Sequence, residues 1–268
     1  MDRRRVDPRK RPRGSDVADL DDVLYGVHAV GEALAAGEKL RKLHVADDRK
    51  RDPVVRRLLD EAKALDVNVR FEERGFFSRF PYKAHQGIVG YGLAFPYTTV
   101  EEILGNPERK GPLLVVLLDH ITDPHNAGAI IRTAECAGAH GVVLPERRSA
   151  GVNATVKKAA AGAASHLPVA RVANISQTIR MLKKAGVWIF GADLGPESIP
   201  HTQADLAREA ALVIGAEGEG LSQLVKRECD YLLRIPMLGK VGSLNASVAT
   251  GILLYEVVRQ RGASSNPS

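Results

Sequence analysis

Three stretches of this chain pair glycines with polar side chains just beyond an apolar run. They are "DHITDPHNAGAIIRTAE", "LVIGAEGEGLS" and "IPMLGKVGSLNAS". Continuous apolar runs of this kind read as parallel strands covered on both faces. Open α/β sheets bind ligands at the carboxyl ends of such strands. The groups placed there are Asn126 and Arg132, then Glu217, then Ser243, Asn245 and Ser247. Taken singly, each has an ordinary structural use. Asn126 can cap an Ala127–Gly138 helix, and Arg132 can pair with Glu135 three residues on. Glu217 can be a turn carboxylate, and Ser243 or Asn245 can cap the last helix, whose free N–H groups face the crevice. "GAEGEG" has its glycines at Gly215, Gly218 and Gly220 and comes late in the chain. That is not the dinucleotide-binding fingerprint, and no P-loop consensus is present.

The elements that must position these groups fall into two sets. From Val23, "YGVHAVGEALAAG" reads as a helix stopped by Gly37, "LRKLHVAD" as a strand, and "DPVVRRLLDEAKALD" as a helix with Pro53 in its first turn. "VNVRFEE" and "HQGIVGYGLAF" are strands, the second begun at Gln86-Gly87, with His85 and Gln86 structural. This compact α/β unit spans 23–96, and the Pro- and Gly-punctuated 97–112 reads as a linker holding a short helix. Over 113–262, strands alternate with helices, which implies a doubly wound parallel sheet. Residues 1–22 form a basic, apolar-poor arm expected to be disordered, and 263–268 a frayed tail.

Composition narrows the class. The formal net charge is +6, which favours a polyanionic partner such as a nucleic acid. No apolar run free of charge is long enough to span a bilayer, and no secretory signal is apparent. Cys136 and Cys229 are the only cysteines, which fits a reducing compartment. No Cys/His cluster has metal-ligand spacing, so no metal is expected.

Together the three loops resemble the signature motifs of the SpoU (TrmH-like) RNA ribose 2′-O-methyltransferases of the SPOUT class. "DPHNAGAIIRTAECAGAHGVV" is similar to the first motif, with Asn126 and Arg132 at its hallmark positions. "LVIGAEGEGLS" is similar to the second, with Glu217, and "IPMLGKVGSLNASVATGILLYE" to the third, with Ser243, Asn245 and Ser247. "YGVHAVGEAL" and "HQGIVG" resemble the L30e-like RNA-binding domain of the branch that modifies large-subunit rRNA. The resemblance covers roughly Leu24 to Arg261.

This resemblance implies an α/β SPOUT domain with a C-terminal trefoil knot behind a small L30e-like domain. It implies S-adenosylmethionine as cofactor, contacted by Gly215, Ile235 and Leu244. Arg132, Asn126, Glu217, Ser243 and Asn245 are the expected catalytic set, with Glu217 holding Arg132 or the knot loop. Lys157 and Lys158 are expected to face RNA. The expected partner is 23S rRNA or the nascent large subunit, with a guanosine of the peptidyl-transferase P loop as target. A cytoplasmic homodimer is implied, and the last helix, apolar on nearly every face with Gly251 inside it, needs cover on several sides. A tRNA ribose methyltransferase and a non-catalytic RNA-binding assembly factor are the alternatives.

Overall fold

The computed structural model describes residues 23–35, 37, 39–80, 85–93 and 95–264. The expected basic arm and the end of the tail lie outside them. The chain divides into two compact units, Met1–Ala94 and Phe95–Ser268.

The first unit runs β1 (Val23–Tyr25), α1 (Gly26–Ala35), β2 (Leu40–Ala46), α2 (Pro53–Ala64), β3 (Val69–Glu72), α3 (Arg74–Phe77) and β4 (Ile88–Gly92). Its sheet has the order β1-β4-β2-β3, with β2 and β3 parallel and the other pairs antiparallel. Asp52 caps α2 by accepting from the Val54 N–H, and Pro53 takes the first helical position, where no N–H is needed. β1 and α3 are absent from the sequence reading because three or four residues cannot display a period. Helices α1 and α2 seal one face of the sheet over Val30, Leu34, Leu43, Val45, Leu58 and Ile88. The opposite face carries Val23, Ala46 and Val89 under Phe77.

The second unit continues with α4 (Val100–Leu104), β5 (Leu114–Asp119), α5 (Pro124–Cys136), β6 (Gly141–Pro145), α6 (Ala154–Ala160), β7 (Val169–Val172), α7 (Ile175–Lys184), β8 (Trp188–Ala192), β9 (Ile199–Pro200), β10 (Ala210–Gly215), α8 (Gln223–Glu228), β11 (Tyr231–Arg234) and α9 (Ala246–Ser264). The seven strands are parallel in the order β7-β6-β5-β10-β8-β11-β9. Every residue of β5 and β10 is buried. Alternation then sends Leu114, Val116 and Leu118 toward Ile130, Ile131, Leu253 and Leu254. It sends Val115 and Leu117 toward Ile179, Leu182 and Val225 on the other side. The order reverses beside β5, which is where a ligand crevice forms in such sheets.

Two boundaries differ from the sequence reading. The 97–112 segment is not a free tether: Val100 and Ile103, one turn apart in α4, are 3% and 2% exposed within the second unit's core. A Thr99–Glu102 capping box starts that helix. Its Pro and Gly punctuation concealed a two-residue apolar stripe. The last helix also runs on to Ser264, into the segment expected to fray.

Candidate active site

Three loops meet at one carboxylate. Glu217 Oε1 accepts from Asn126 Nδ2 at 2.9 Å, from Asn245 Nδ2 at 2.6 Å and from the Ala246 N–H at 3.3 Å. Asn245 Nδ2 also donates to Asn126 Oδ1 at 2.8 Å, which closes the triangle. Bonds to an ionised acceptor are stronger than neutral ones, so this carboxylate fixes all three loops together. Asn245 additionally caps α9 as expected: its Oδ1 accepts from the Ser247 and Val248 N–H groups and from Ser247 Oγ.

The geometry decides among the alternatives that the sequence leaves open for three residues. Asn126 is not the cap of its helix. Asp123 is, accepting from the His125 N–H at 3.0 Å, so α5 begins earlier, at Pro124, and Asn126 is left to bridge loops. Of the two roles open to Glu217, it takes the loop-holding one: its Oε1 is bonded to the two asparagines, and it makes no ion pair with Arg132 among the described residues. Ser243 does not cap α9. It is exposed and lines the cavity described below. Arg132 itself is exposed and makes no ion pair among the described residues, so the Glu135 pairing is not formed either. It lies six residues after Asn126, about 9 Å further along α5.

That helix is held on two sides. A Cβ at Gly128 would lie 2.5 Å from Ala159 Cβ and 2.6 Å from the Val156 carbonyl oxygen, so only glycine lets α6 approach α5 here. Gly251 of α9 faces Thr133, but a methyl there would meet Thr133 Cγ2 at 3.7 Å, an ordinary contact. Close approach within the chain therefore does not require glycine at 251. Lys157 and Lys158 lie in the last turn of α6, beside this helix pair.

Next to the triangle is a cavity of about 240 Å³ whose walls include Gly215, Ile235 and Leu244, the three residues expected at the cofactor. Ile214, Leu233 and Leu253 add apolar surface, and the 215–220 loop adds backbone. The loop's glycines explain their spacing. Gly218 and Gly220 take positive φ, +81° and +68°, while Ala216 and Gly220 exchange backbone hydrogen bonds at 3.1 and 2.8 Å. A Cβ at Gly215 would lie 2.2 Å from the Gly220 carbonyl carbon.

Two acidic residues escaped the sequence reading. Asp119, 1% exposed at the end of β5, accepts from the Ser222 N–H at 2.8 Å and meets His120 Nδ1 at 2.7 Å. It ties the first loop to the far end of the second. Asp193, just past β8, lines the cavity and pairs with Lys226 at 2.6 Å. In each case the available signal is a carboxylate that ends an apolar run.

Comparison with known proteins finds relatives of both units. Residues 113–255 match the model of the SpoU rRNA Methylase family, and residues 23–98 match a model described as RNA 2'-O ribose methyltransferase substrate binding. The chain is 45% identical over 244 residues to an uncharacterized tRNA/rRNA methyltransferase of Synechocystis, covering 90% of this chain and 63% of that protein. It is 42% identical to the 23S rRNA (guanosine-2'-O-)-methyltransferase RlmB of Coxiella burnetii, covering 90% of this chain and 96% of that one. Among solved structures, it resembles the SpoU methyltransferase AviRb from Streptomyces viridochromogenes in complex with the cofactor AdoMet. The TM-score is 0.58 and the identity 27%, over 90% of both chains.

Proposed function

The chain belongs to the SpoU rRNA methylase family of S-adenosylmethionine-dependent RNA 2′-O-methyltransferases, and on that premise we propose that it methylates a guanosine ribose in the peptidyl-transferase P loop of 23S rRNA. The observation that carries the catalytic part is the Asn126–Glu217–Asn245 triangle, which locks three loops beside a cavity walled by Gly215, Ile235 and Leu244. The 23S assignment rests on the named relative and on the appended substrate-binding domain.

Bound S-adenosylmethionine supplies an electrophilic methyl group on a sulfonium, whose departure as a neutral thioether needs no acid. The residues present fit it: apolar walls at Ile214, Leu233 and Ile235 suit an adenine, and the backbone of the glycine loop suits its polar edge. The chain's task is to place a ribose 2′-hydroxyl in line with that methyl. Arg132 clamps the neighbouring phosphate in a bidentate grip and so orients the hydroxyl. A guanidinium does not give up its proton at ordinary pH. The hydroxyl proton therefore passes to a phosphate oxygen or a water. Ser243, at the cavity wall, contacts the ribose side, while Asn126, Glu217 and Asn245 hold the loops in register.

The trefoil knot belongs to this reading. It is supported by residues 235–244 returning to line the same cavity as the 215–220 loop before α9 packs on α5.

The homodimer belongs to it as well. Val248, Ile252, Tyr255 and Val258 are 50%, 37%, 54% and 38% exposed, and their spacing of three and four residues makes one stripe along α9. Leu238 and Val241, in the preceding loop, are also exposed. A stripe of this kind marks an interface, and a second copy of α9 offers the matching surface. Ile252→Asp with Tyr255→Glu is expected to convert a dimer to a monomer and to cut methyl transfer at least tenfold. Light scattering coupled to gel filtration reads the first effect. A variant of unchanged mass would refute the interface.

The test of the whole reading is methyl transfer from labelled S-adenosylmethionine to a 23S transcript, a 16S transcript and total tRNA. Label in 23S alone, recovered as an alkali-resistant dinucleotide at the P loop, is the expected result. Label in tRNA would overturn the substrate and keep the chemistry. No label in any RNA, with cofactor bound, would favour a non-catalytic assembly factor.

A further inference from the structure

We propose that the loop between β6 and α6 is a second phosphate grip, in which Arg147 and Arg148 hold the RNA backbone beside the nucleotide to be methylated. The proposal rests on the RNA-methyltransferase reading and adds to it a site apart from Arg132.

Strand order places this loop next to the candidate active site. β5 and β6 are parallel neighbours, with Val115, Val116 and Leu117 in register with Gly141, Val142 and Val143. The loops that follow them therefore leave the same edge of the sheet. One backbone bond joins the two loops directly, from the Ala150 N–H to the Ile121 carbonyl at 2.8 Å. Ile121 opens the stretch that continues through Asp123, the cap of α5, to Asn126 of the triangle.

The loop is fastened at both ends and open in the middle. At its start the Glu146 N–H donates to the Val172 carbonyl at 2.8 Å. At its end the Val152 N–H donates to the Tyr97 hydroxyl at 2.8 Å, and Ala150 and Val152 are 7% and 1% exposed within the core. Between these anchors Arg147 and Arg148 are exposed, and neither side chain makes an ion pair or hydrogen bond among the described residues. Lys157 and the exposed Lys158 follow on α6. Residues 146–158 thus carry four cations against one carboxylate, Glu146.

Two features of the loop cost stability and return none within the chain. Arg148 takes φ +56°, in the left-handed region that a residue with a Cβ disfavours. Ser149 Oγ is buried with no hydrogen-bond partner among the described residues, and buried polar atoms are seldom left so. Local strain of this kind gathers where backbone is shaped for a ligand. Here the result is two adjacent free guanidiniums on a fixed stem.

The chemistry of the loop selects the ligand. A guanidinium fork matches a phosphate in bidentate fashion. Ala150 and Val152, the loop's apolar side chains, are buried, so it offers no apolar anchor to a protein partner. Phosphate contacts need no such anchor. They fix the register of a nucleic acid without reading its sequence. Arg147 and Arg148 are therefore positioning residues, which set where the RNA lies across the crevice.

The experiment uses the full chain and two labelled probes, a hairpin transcript of the 23S P loop and a tRNA, with binding followed by fluorescence anisotropy across salt. Arg147→Gln with Arg148→Gly is expected to weaken the tighter of the two about tenfold or more. It should also reduce the slope of log affinity against log salt by about 1.4, because two phosphate contacts are lost. Glycine suits the left-handed φ, so the melting temperature should stay at or above the wild-type value. Arg147→Lys with Arg148→Lys keeps both charges. It should keep the salt slope and weaken binding about threefold, through loss of the planar fork. S-adenosylmethionine affinity should match wild type in both variants. In methyl transfer, the neutral variant should raise KM for RNA about tenfold with kcat within threefold. RNA affinity within twofold of wild type in the neutral variant overturns the proposal, as does a loss of RNA binding that comes with a lowered melting temperature or lost cofactor affinity. Wild type binding neither probe overturns it too. If wild type methylates RNA and the neutral variant binds and reacts as it does, the grip is refuted and the methyltransferase stands. If the neutral variant loses RNA binding with its fold intact but wild type methylates no RNA, the grip is upheld and the enzyme reading fails.

Discussion

Replacing Arg132 by alanine is expected to lower methyl transfer about a thousandfold while S-adenosylmethionine affinity stays within twofold of wild type. The reason lies in what surrounds it. Arg132 is exposed and makes no ion pair among the described residues, so its charge is not consumed by the fold. Its helix, in contrast, is fixed. The Asn126–Glu217–Asn245 triangle holds the first turn, and the α6 backbone presses against Gly128 in the next. An arginine with a free head group on a clamped stem is suited to meet a phosphate at a set distance. Truncation removes that grip without creating a cavity, so the stability cost should be small. Arg132→Lys keeps the charge and loses the planar fork, and less than a tenth of wild-type activity should remain. Single-turnover transfer and titration calorimetry with the cofactor separate the two quantities. Near-full activity in the lysine variant, with an unchanged pH profile, would sink the bidentate role.

The second large effect is expected from the smallest change. Gly215→Ala should weaken S-adenosylmethionine binding at least a hundredfold and cost about 3 kcal/mol or more of stability. The added Cβ would lie 2.2 Å from the Gly220 carbonyl carbon and 2.4 Å from both the Gly220 oxygen and the Leu221 nitrogen. All three are backbone atoms, so no side-chain rotation relieves the clash. The Ala216–Gly220 hydrogen bonds must give way instead, and they shape the loop that carries Glu217 and walls the cavity. Displacing Glu217 would in turn free Asn126 and Asn245. Gly239→Ala is the control. It lies in the segment leading to the cavity and would meet nothing within 4 Å. Calorimetric affinity and thermal melts of both variants make the comparison. Wild-type cofactor binding by Gly215→Ala would show that the loop can move aside and that the glycine is not needed for the cradle.

The two glycine-rich sites show how far sequence reasoning reaches. Gly215 was legible because three motifs occurred in a set order, each at the end of an apolar run. Gly128 was not, although its constraint is nearly as tight. It reads as one more small residue in an Ala-rich helix, and the helix that presses on it arrives some thirty residues later. Gly251 reads as small in the same way, and within the chain Thr133 leaves room there for a methyl.

What the sequence determined by itself is local. Periodicity set the alternation of strands and helices. Asp52-Pro53 and Asn153 set helix starts, each by a bond spanning two or three residues. The runs before Asp119 and Gly215 marked strands buried on both faces. Tertiary structure alone decided that β10 lies between β5 and β8 and that Glu217 serves Asn126, 91 residues away, rather than Arg132. It also decided that Asp193 joins the cavity and that α9 leaves one face uncovered. The physical reason is that hydrophobic burial is non-directional. A pattern states which side of an element must leave water, but not which element will cover it. That choice is made by packing and by a few buried polar bonds, and here those bonds assemble the site.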